Sequence, residues 1–153
     1  MNKLMLVKGP YEFVYPEIVR FKCEKCALCC GDTSDRVRRI LLLEVEAERI
    51  SHFTGKSMFS FAERVVGFEP YVFQMKKTGG KCVFLEGSLC SVYCVRPLIC
   101  VFYPFELKRI SENRFAFGFT AECPAVGKGR MLGKSYFERL FARFMRVMER
   151  NKK

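Results

Sequence analysis

The spacing of the nine cysteines is the feature that most constrains this chain. One group lies within residues 23–30 and a second within residues 82–100, and one more cysteine stands at position 123. The first group has the pattern C-x2-C-x2-CC, and a two-residue gap lets the chain curl so that two thiolates reach one inorganic centre. Two tight groups among turn-forming residues therefore indicate a metal or cluster site, since cysteines used only as small apolar residues would be scattered through the core.

A disulfide framework is disfavoured, first because the number of cysteines is odd. The first ten residues also lack the apolar run of a secretory segment. No stretch reaches the roughly 18 apolar residues that a membrane span needs. We therefore expect a soluble, cytoplasmic protein in which the thiols stay reduced.

The cysteine spacing favours iron slightly over zinc. Three cysteines at successive gaps of two are more common in iron–sulfur sites, whereas one Zn²⁺ is usually bound by separated C-x2-C pairs. The side chains of the neighbours Cys29 and Cys30 are expected to point apart, so that they serve different centres or one of them is simply buried. The expected cofactor is an iron–sulfur cluster, preferably of the 4Fe-4S type, or Zn²⁺.

In its combined motifs the chain resembles the YkgJ-like cysteine-cluster family of zinc- or iron-chelating domains. The matching segments are CEKCALCC from residue 23, CVFLEGSLCSVYCVRPLICVFYPF from residue 82 and CPAVGKG from residue 123. The resemblance implies eight metal ligands, enough for two four-thiolate sites or for one cluster and one zinc. They are Cys23, Cys26, Cys29, Cys30, Cys82, Cys90, Cys100 and Cys123. Cys94 is left as an unligated ninth thiol.

Two positions depart from the family pattern. Ala27 stands where the family usually has Gly, so the turn is expected to need no positive φ there. Val101 replaces an Arg that usually follows Cys100. Relatives in the family include flagellin lysine methylases. The resemblance thus implies a role in redox chemistry, in metal handling or in assisting a modification enzyme, with a redox or protein partner.

Few other side chains suggest chemistry. Arg96 lies four residues before Cys100, where it is expected to donate to sulfur or to balance thiolate charge; an ordinary surface ion pair is the alternative. His52 is the only histidine, so no site that needs two histidines can be assembled. No catalytic residue is assigned. A thiol enzyme based on Cys94 is the weakest hypothesis, because no histidine motif accompanies that cysteine.

The net charge of +11 supports an alternative function, a zinc-stapled module that binds nucleic acid or an acidic protein. The periodicity of residues 135–150 predicts a helix with an apolar stripe and a separate basic stripe. The basic stripe consists of Arg139, Arg143, Arg146 and Arg150. A docked helix with a solvated cationic side explains the same pattern, and two four-thiolate sites of about −2 each would offset part of the charge.

The predicted fold is α+β, with one small domain over residues 1–153. A helix is predicted from Glu44 to a stop at Gly55, and a second, capped by Ser57, through Val66. Hairpins are predicted around Gly79 and Gly80 and within residues 105–120, after an irregular, extended lead-in over residues 11–22. The long C-terminal helix completes the fold, and a cysteine-ligated metal site is expected to staple the loops.

Overall fold

The computed structural model describes residues 3–24, 26–33, 36–120 and 122–152. Helices and small sheets are mixed along the chain, which confirms the α+β class. The chain divides into two compact units. The first unit comprises Met1–Glu24 and Phe102–Met145, and the second comprises Lys25–Val101 and Arg146–Lys153. That the whole chain forms one domain stays a prediction.

The regular elements are short except for the C-terminal helix. The strands are β1 (Leu4–Val7), β2 (Glu12–Pro16), β3 (Arg20–Phe21), β4 (Leu41–Leu42), β5 (Ala62–Arg64), β6 (Phe73–Met75), β7 (Lys77–Thr78), β8 (Lys81–Cys82), β9 (Leu85–Glu86), β10 (Leu89–Cys90), β11 (Phe105–Ser111), β12 (Arg114–Phe119) and β13 (Val126–Met131). The α-helices are α1 (Glu44–Thr54), α2 (Met58–Phe61), α3 (Leu98–Phe102) and α4 (Lys134–Asn151). Single 3-10 turns lie at Leu28–Cys30 and Tyr93–Val95.

In the first unit a four-stranded sheet has the order β1-β2-β12-β11, and β3 pairs with β13 in a separate ribbon. The lead-in over residues 11–22 is extended as predicted, but it is more regular than expected, because this segment supplies β2 and β3. In β2 the buried residues Phe13 and Tyr15 alternate with half-buried neighbours, and this period of two places both rings on one face. The parallel pairing of β2 with β12 is a non-local contact that no local pattern indicated.

The apolar stripe of α4 packs on aromatic side chains of the sheet. The Phe137 ring stacks on Tyr15, with centroids 5.0 Å apart, and Phe141 stacks on Phe13 at 4.6 Å. The helix therefore forms where the sequence predicted it, and its amphipathic pattern is explained by this aromatic core. Among the described residues, no helix is long and apolar enough to cross a lipid bilayer.

The second unit confirms α1, which ends at Gly55 with a left-handed φ of 71°. Ser57 caps α2 as predicted, by accepting from the Phe59 N–H. The predicted extension of this helix to Val66 is wrong, because α2 stops at Phe61 and the next residues form β5. There Ala62 pairs with Met75 of β6, so sheet pairing outweighs the local helical preference.

Both predicted hairpins are present. Gly79 and Gly80, with φ of 59° and 78°, form the two-residue turn between β7 and β8, since a turn of this kind needs positive φ at both positions. Strands β11 and β12 pair antiparallel in the first unit.

Candidate metal centre

Five cysteines gather in the second unit. They come from separate segments, namely the Leu28–Cys30 turn, β8, β10 and α3, and their thiol charges act on one another. We call them the thiol cluster: Cys29, Cys30, Cys82, Cys90 and Cys100. Cys82 belongs to the buried core of the unit, and Cys30, Cys90 and Cys100 pack against that core. The two groups of cysteines seen in the sequence therefore meet in space.

The turn that carries Cys29 and Cys30 begins at Ala27, where the backbone is left-handed, with φ 65° and ψ 13°. The prediction that this position needs no positive φ is therefore wrong. The Cys30 N–H donates to the Ala27 carbonyl over 3.0 Å, which closes the 3-10 turn. The turn itself requires the left-handed conformation, which explains why Gly is the residue that the family pattern usually has there.

The expectation that Cys29 and Cys30 point apart is also wrong. Their Sγ atoms lie 3.8 Å apart, because the tight turn brings the two side chains to the same side. The hydrogen bond from the Cys30 thiol lowers the pKa of Cys29 to about 6, against the opposing effect of burial and with help from the charge of Arg38. The same hydrogen bond raises the pKa of Cys30. The pair thus holds one thiolate and one thiol near neutral pH.

Gly31 attaches this turn to the β7–β8 hairpin. It forms an antiparallel bridge with Lys81, and the Asp32 N–H donates to the Gly80 carbonyl over 2.7 Å. A Cβ on Gly31 would lie 2.9 Å from the Gly80 oxygen, closer than side-chain carbons approach backbone. Only glycine permits this approach, which brings the turn beside the hairpin that carries Cys82.

Arg38 is a buried cation beside the thiol cluster, with only 6% of its surface exposed. Its Nε donates to the Cys29 carbonyl over 2.9 Å. Burial raises the pKa values of Cys82 and Cys100, and the charge of Arg38 opposes this at both thiols. Sequence reasoning missed this residue. The alternation of the sequence could have indicated it, because Arg38 lies two residues before Ile40 and four before Leu42, on the side of an extended segment that faces the core.

Arg96, which the sequence analysis singled out, is half-buried and lies between Cys94 and Cys100 in the sequence. Its Nε donates to the Tyr93 carbonyl over 3.1 Å, and its guanidinium lies 3.8 Å from the centroid of the Tyr93 ring. Burial raises the pKa of Cys90, and the Arg96 charge opposes that shift. The arginine is held in place by Tyr93 while its charge reaches the thiols.

The other four cysteines are divided between the two units. In the first unit Cys23 is exposed and Cys123 is buried. They lie at the same end of the β3–β13 ribbon, in which Phe21 pairs with Val126. In the second unit Cys26 and Cys94 are both exposed.

The donor set of the thiol cluster fits zinc or iron. Thiolate sulfur suits zinc and iron–sulfur clusters, whereas magnesium and calcium take oxygen donors. The only histidine, His52, is exposed on α1. Within the described residues, no three His, Cys, Asp or Glu side chains already stand in an arrangement that would hold a metal ion. The predicted metal staple and its eight ligands therefore stay predictions, although the chemistry of the clustered donors agrees with them.

Comparison with known proteins gives a family match. The family described as "CxxCxxCC: Putative zinc- or iron-chelating domain" matches residues 22–129. An uncharacterized protein of Methanocaldococcus jannaschii is 29% identical over 110 residues, which cover 70% of this chain and 57% of that protein. This chain therefore spans little more than half the length of that relative. No solved structure matches the chain.

Proposed function

This chain belongs to the CxxCxxCC family of zinc- or iron-chelating domains, and from that premise we propose that it is a cysteine-ligated metalloprotein with an iron–sulfur centre, or failing that a zinc centre. The observation that carries the proposal is the thiol cluster, in which cysteines from distant segments meet beside a buried arginine. Structural metal sites hold such short, turn-rich segments together because metal binding contributes directly to folding.

The proposed ligands are Cys23, Cys26, Cys29, Cys30, Cys82, Cys90, Cys100 and Cys123. The thiol cluster supplies five of them, one more than a single tetrahedral zinc uses. The successive two-residue gaps of the first cysteine group favour iron over zinc. An iron–sulfur centre would supply one-electron transfer, and a zinc centre would supply structural stability.

The chain's own residues prepare the thiol cluster for a metal. Ligation needs thiolates, and Cys29 is the thiol that the neighbouring Cys30 already holds ionised near neutral pH. Cys30 and the other cluster thiols keep their protons until a metal displaces them, since burial and neighbouring thiols raise their pKa values. For a protein with this cysteine content we propose a reducing, cytoplasmic setting, in which thiols stay available to a metal.

Anaerobic purification tests this function. Metal and acid-labile sulfide are quantified and the visible spectrum is recorded for the wild type and for Cys100→Ser and Cys94→Ser. Iron with sulfide and a broad charge-transfer band, lost in Cys100→Ser and kept in Cys94→Ser, is the expected result. Zinc without colour would select the zinc centre. A protein that holds neither metal after reconstitution would contradict the proposal.

A second candidate function is binding of nucleic acid by the basic stripe of α4. Arg139, Arg146 and Arg150 are exposed on that helix, which a polyanion-binding surface requires. The test is binding of labelled single-stranded RNA across a salt series by the wild type and by Arg146→Gln/Arg150→Gln. The matched control is Arg49→Gln, on the exposed side of α1. A salt-dependent affinity that only the α4 variant loses supports this candidate, and no binding at low salt excludes it.

For the cellular role of the proposed metal centre we name only the class of function. Family resemblance favours electron transfer, metal handling or assistance to a modification enzyme, each with a protein partner. The exposed Cys26 and Cys94 and the half-buried Arg96 belong to the same unit as the thiol cluster.

A further inference from the structure

We propose that Arg38 is the built-in counter-ion of the metal–thiolate centre and the residue that positions the Cys29–Cys30 turn. This inference rests on the proposed metal-binding function and concerns what stabilises the loaded state.

The burial of Arg38 needs a reason. Its side chain lies on the inward side of a segment whose next inward residues, Ile40 and Leu42, belong to the buried apolar core, whereas Arg39 is exposed. An arginine stays charged in any protein environment, so taking it out of water is unfavourable unless negative charge or hydrogen bonds compensate for it. Groups packed close to Arg38 must therefore compensate for its charge.

Three hydrogen bonds hold Arg38, one through its guanidinium and two through its backbone. The Arg38 Nε donates to the Cys29 carbonyl over 2.9 Å. Its backbone N–H donates to Asp32 Oδ1 over 2.7 Å, and its carbonyl accepts from Lys77 Nζ over 2.9 Å. Both the backbone and the side chain of Arg38 are thus held in place. Arg38 orients this turn through direct contact with its backbone.

Arg38 lies beside thiols that would become thiolates when a metal binds. Its charge acts on Cys29, Cys82 and Cys100, which come from three different segments of the thiol cluster. A divalent metal with four thiolates carries about −2, so the loaded centre is more anionic than the thiols from which it forms. A fixed cation beside it favours the loaded state. If the centre is an iron–sulfur cluster, the same cation also favours the reduced form, which carries one more negative charge.

The experiment compares the full-length wild type with Arg38→Gln, Arg38→Lys and the matched control Arg39→Gln. Arg39→Gln removes the same charge from the next residue, whose side chain is exposed and donates to Gln74. Zn²⁺ affinity is measured anaerobically by competition with a chromophoric chelator. We expect Arg38→Gln to bind Zn²⁺ about 10- to 100-fold more weakly, as for other groups that support metal ligands. Arg39→Gln should stay within about twofold of the wild type, because its charge is screened by solvent.

Arg38→Lys distinguishes the counter-ion role from a purely structural one. Thermal unfolding of the metal-free variants shows separately how much stability each substitution removes. Lysine keeps the charge but loses the planar fork, so it should recover most of the affinity that Arg38→Gln loses. Equal affinities for Arg38→Gln and Arg39→Gln would overturn this inference alone, as would an Arg38→Lys variant as weak as Arg38→Gln. If Arg38→Gln does not fold, Arg38→Lys is compared with the wild type: an affinity within about 10-fold supports the inference, and a loss of about 100-fold overturns it. A wild type that takes up neither zinc nor iron overturns the proposed function, and the counter-ion role with it.

Discussion

At the scale of single residues, two small side chains determine the turn that presents Cys29 and Cys30. Ala27 adopts a left-handed backbone conformation that favours glycine. Gly31 leaves no room for a Cβ against the Gly80 carbonyl. The first residue carries strain and the second avoids a clash. The geometry of the Cys29–Cys30 turn therefore depends on residues that are not cysteines.

Replacing Ala27 by Gly is expected to stabilise the metal-free protein by about 1 kcal/mol. The gain comes from removal of the left-handed strain, and it is reduced by the larger conformational freedom of glycine in the unfolded chain. The measurement is chemical denaturation of the reduced, metal-free protein.

Ala142→Gly is the matched control. Ala142 is exposed inside α4, where glycine lowers stability by about 1 kcal/mol. The two variants should therefore shift the denaturation midpoint in opposite directions. A loss of stability in both would show that Ala27 is not strained.

At the scale of elements, Glu46 connects α1 to α3. It lies in the first turn of α1 and is buried, with 7% of its surface exposed. Its Oε1 accepts from the Leu43 N–H over 2.9 Å, and its Oε2 accepts from the Leu98 N–H over 2.6 Å. Leu98 begins α3, which carries Cys100. One carboxylate thus satisfies backbone donors at the start of two helices and places a proposed ligand.

Replacing Glu46 by Gln is expected to destabilise the protein by about 1–3 kcal/mol, because the amide leaves one of the two buried N–H donors without a carboxylate acceptor. The free energy of unfolding should be measured beside that of Glu48→Gln, an exposed neighbour on α1. We expect Glu48→Gln to change it by less than about 0.5 kcal/mol. Similar losses in both variants would mean that Glu46 does not join the helices.

At the scale of the whole molecule, the chain has an aromatic core in the first unit and a core of apolar residues and cysteines in the second. In the second unit the thiols are part of the core itself, since Cys82 is buried and three other cluster thiols pack on that core. The ionisation of the cluster thiols therefore contributes to the stability of the metal-free protein.

Metal-free stability is expected to fall as the pH rises above about 9, the usual pKa of a cysteine. Burial raises the pKa of Cys82, Cys90 and Cys100, so the folded state keeps protons that the unfolded state releases. Stability then decreases with increasing pH. Cys29 acts in the opposite sense. Its pKa is lowered to about 6 in the folded state, so its ionisation contributes stability that is lost as the pH falls from 9 to 6.

The check is anaerobic denaturation of the reduced protein between pH 6 and 11, with a Cys82→Ala/Cys100→Ala variant as the control. The wild type should show maximum stability near pH 9, and the variant should lose less stability above that pH. A wild-type stability that keeps rising to pH 11 would contradict the burial of these thiols.

Local signals were enough for several elements. The stop of α1 at Gly55, the Gly79–Gly80 turn and the amphipathic α4 each depend on residues close in sequence, and each was predicted correctly. Capping, positive φ and helical periodicity act over a few residues, so a single sequence contains them. The resemblance to a cysteine-cluster family was likewise available from the motifs, and the family is confirmed.

The sequence by itself determined that the chain belongs to a zinc- or iron-chelating family, because the type and spacing of its cysteines are written along the chain. Only the tertiary structure decided that Ala27 is left-handed, that Cys29 and Cys30 lie 3.8 Å apart and that Arg38 is buried. Each of these depends on what packs against the residue from elsewhere in the chain. Such pairings are non-local and are set by close packing, so no short window of sequence contains them.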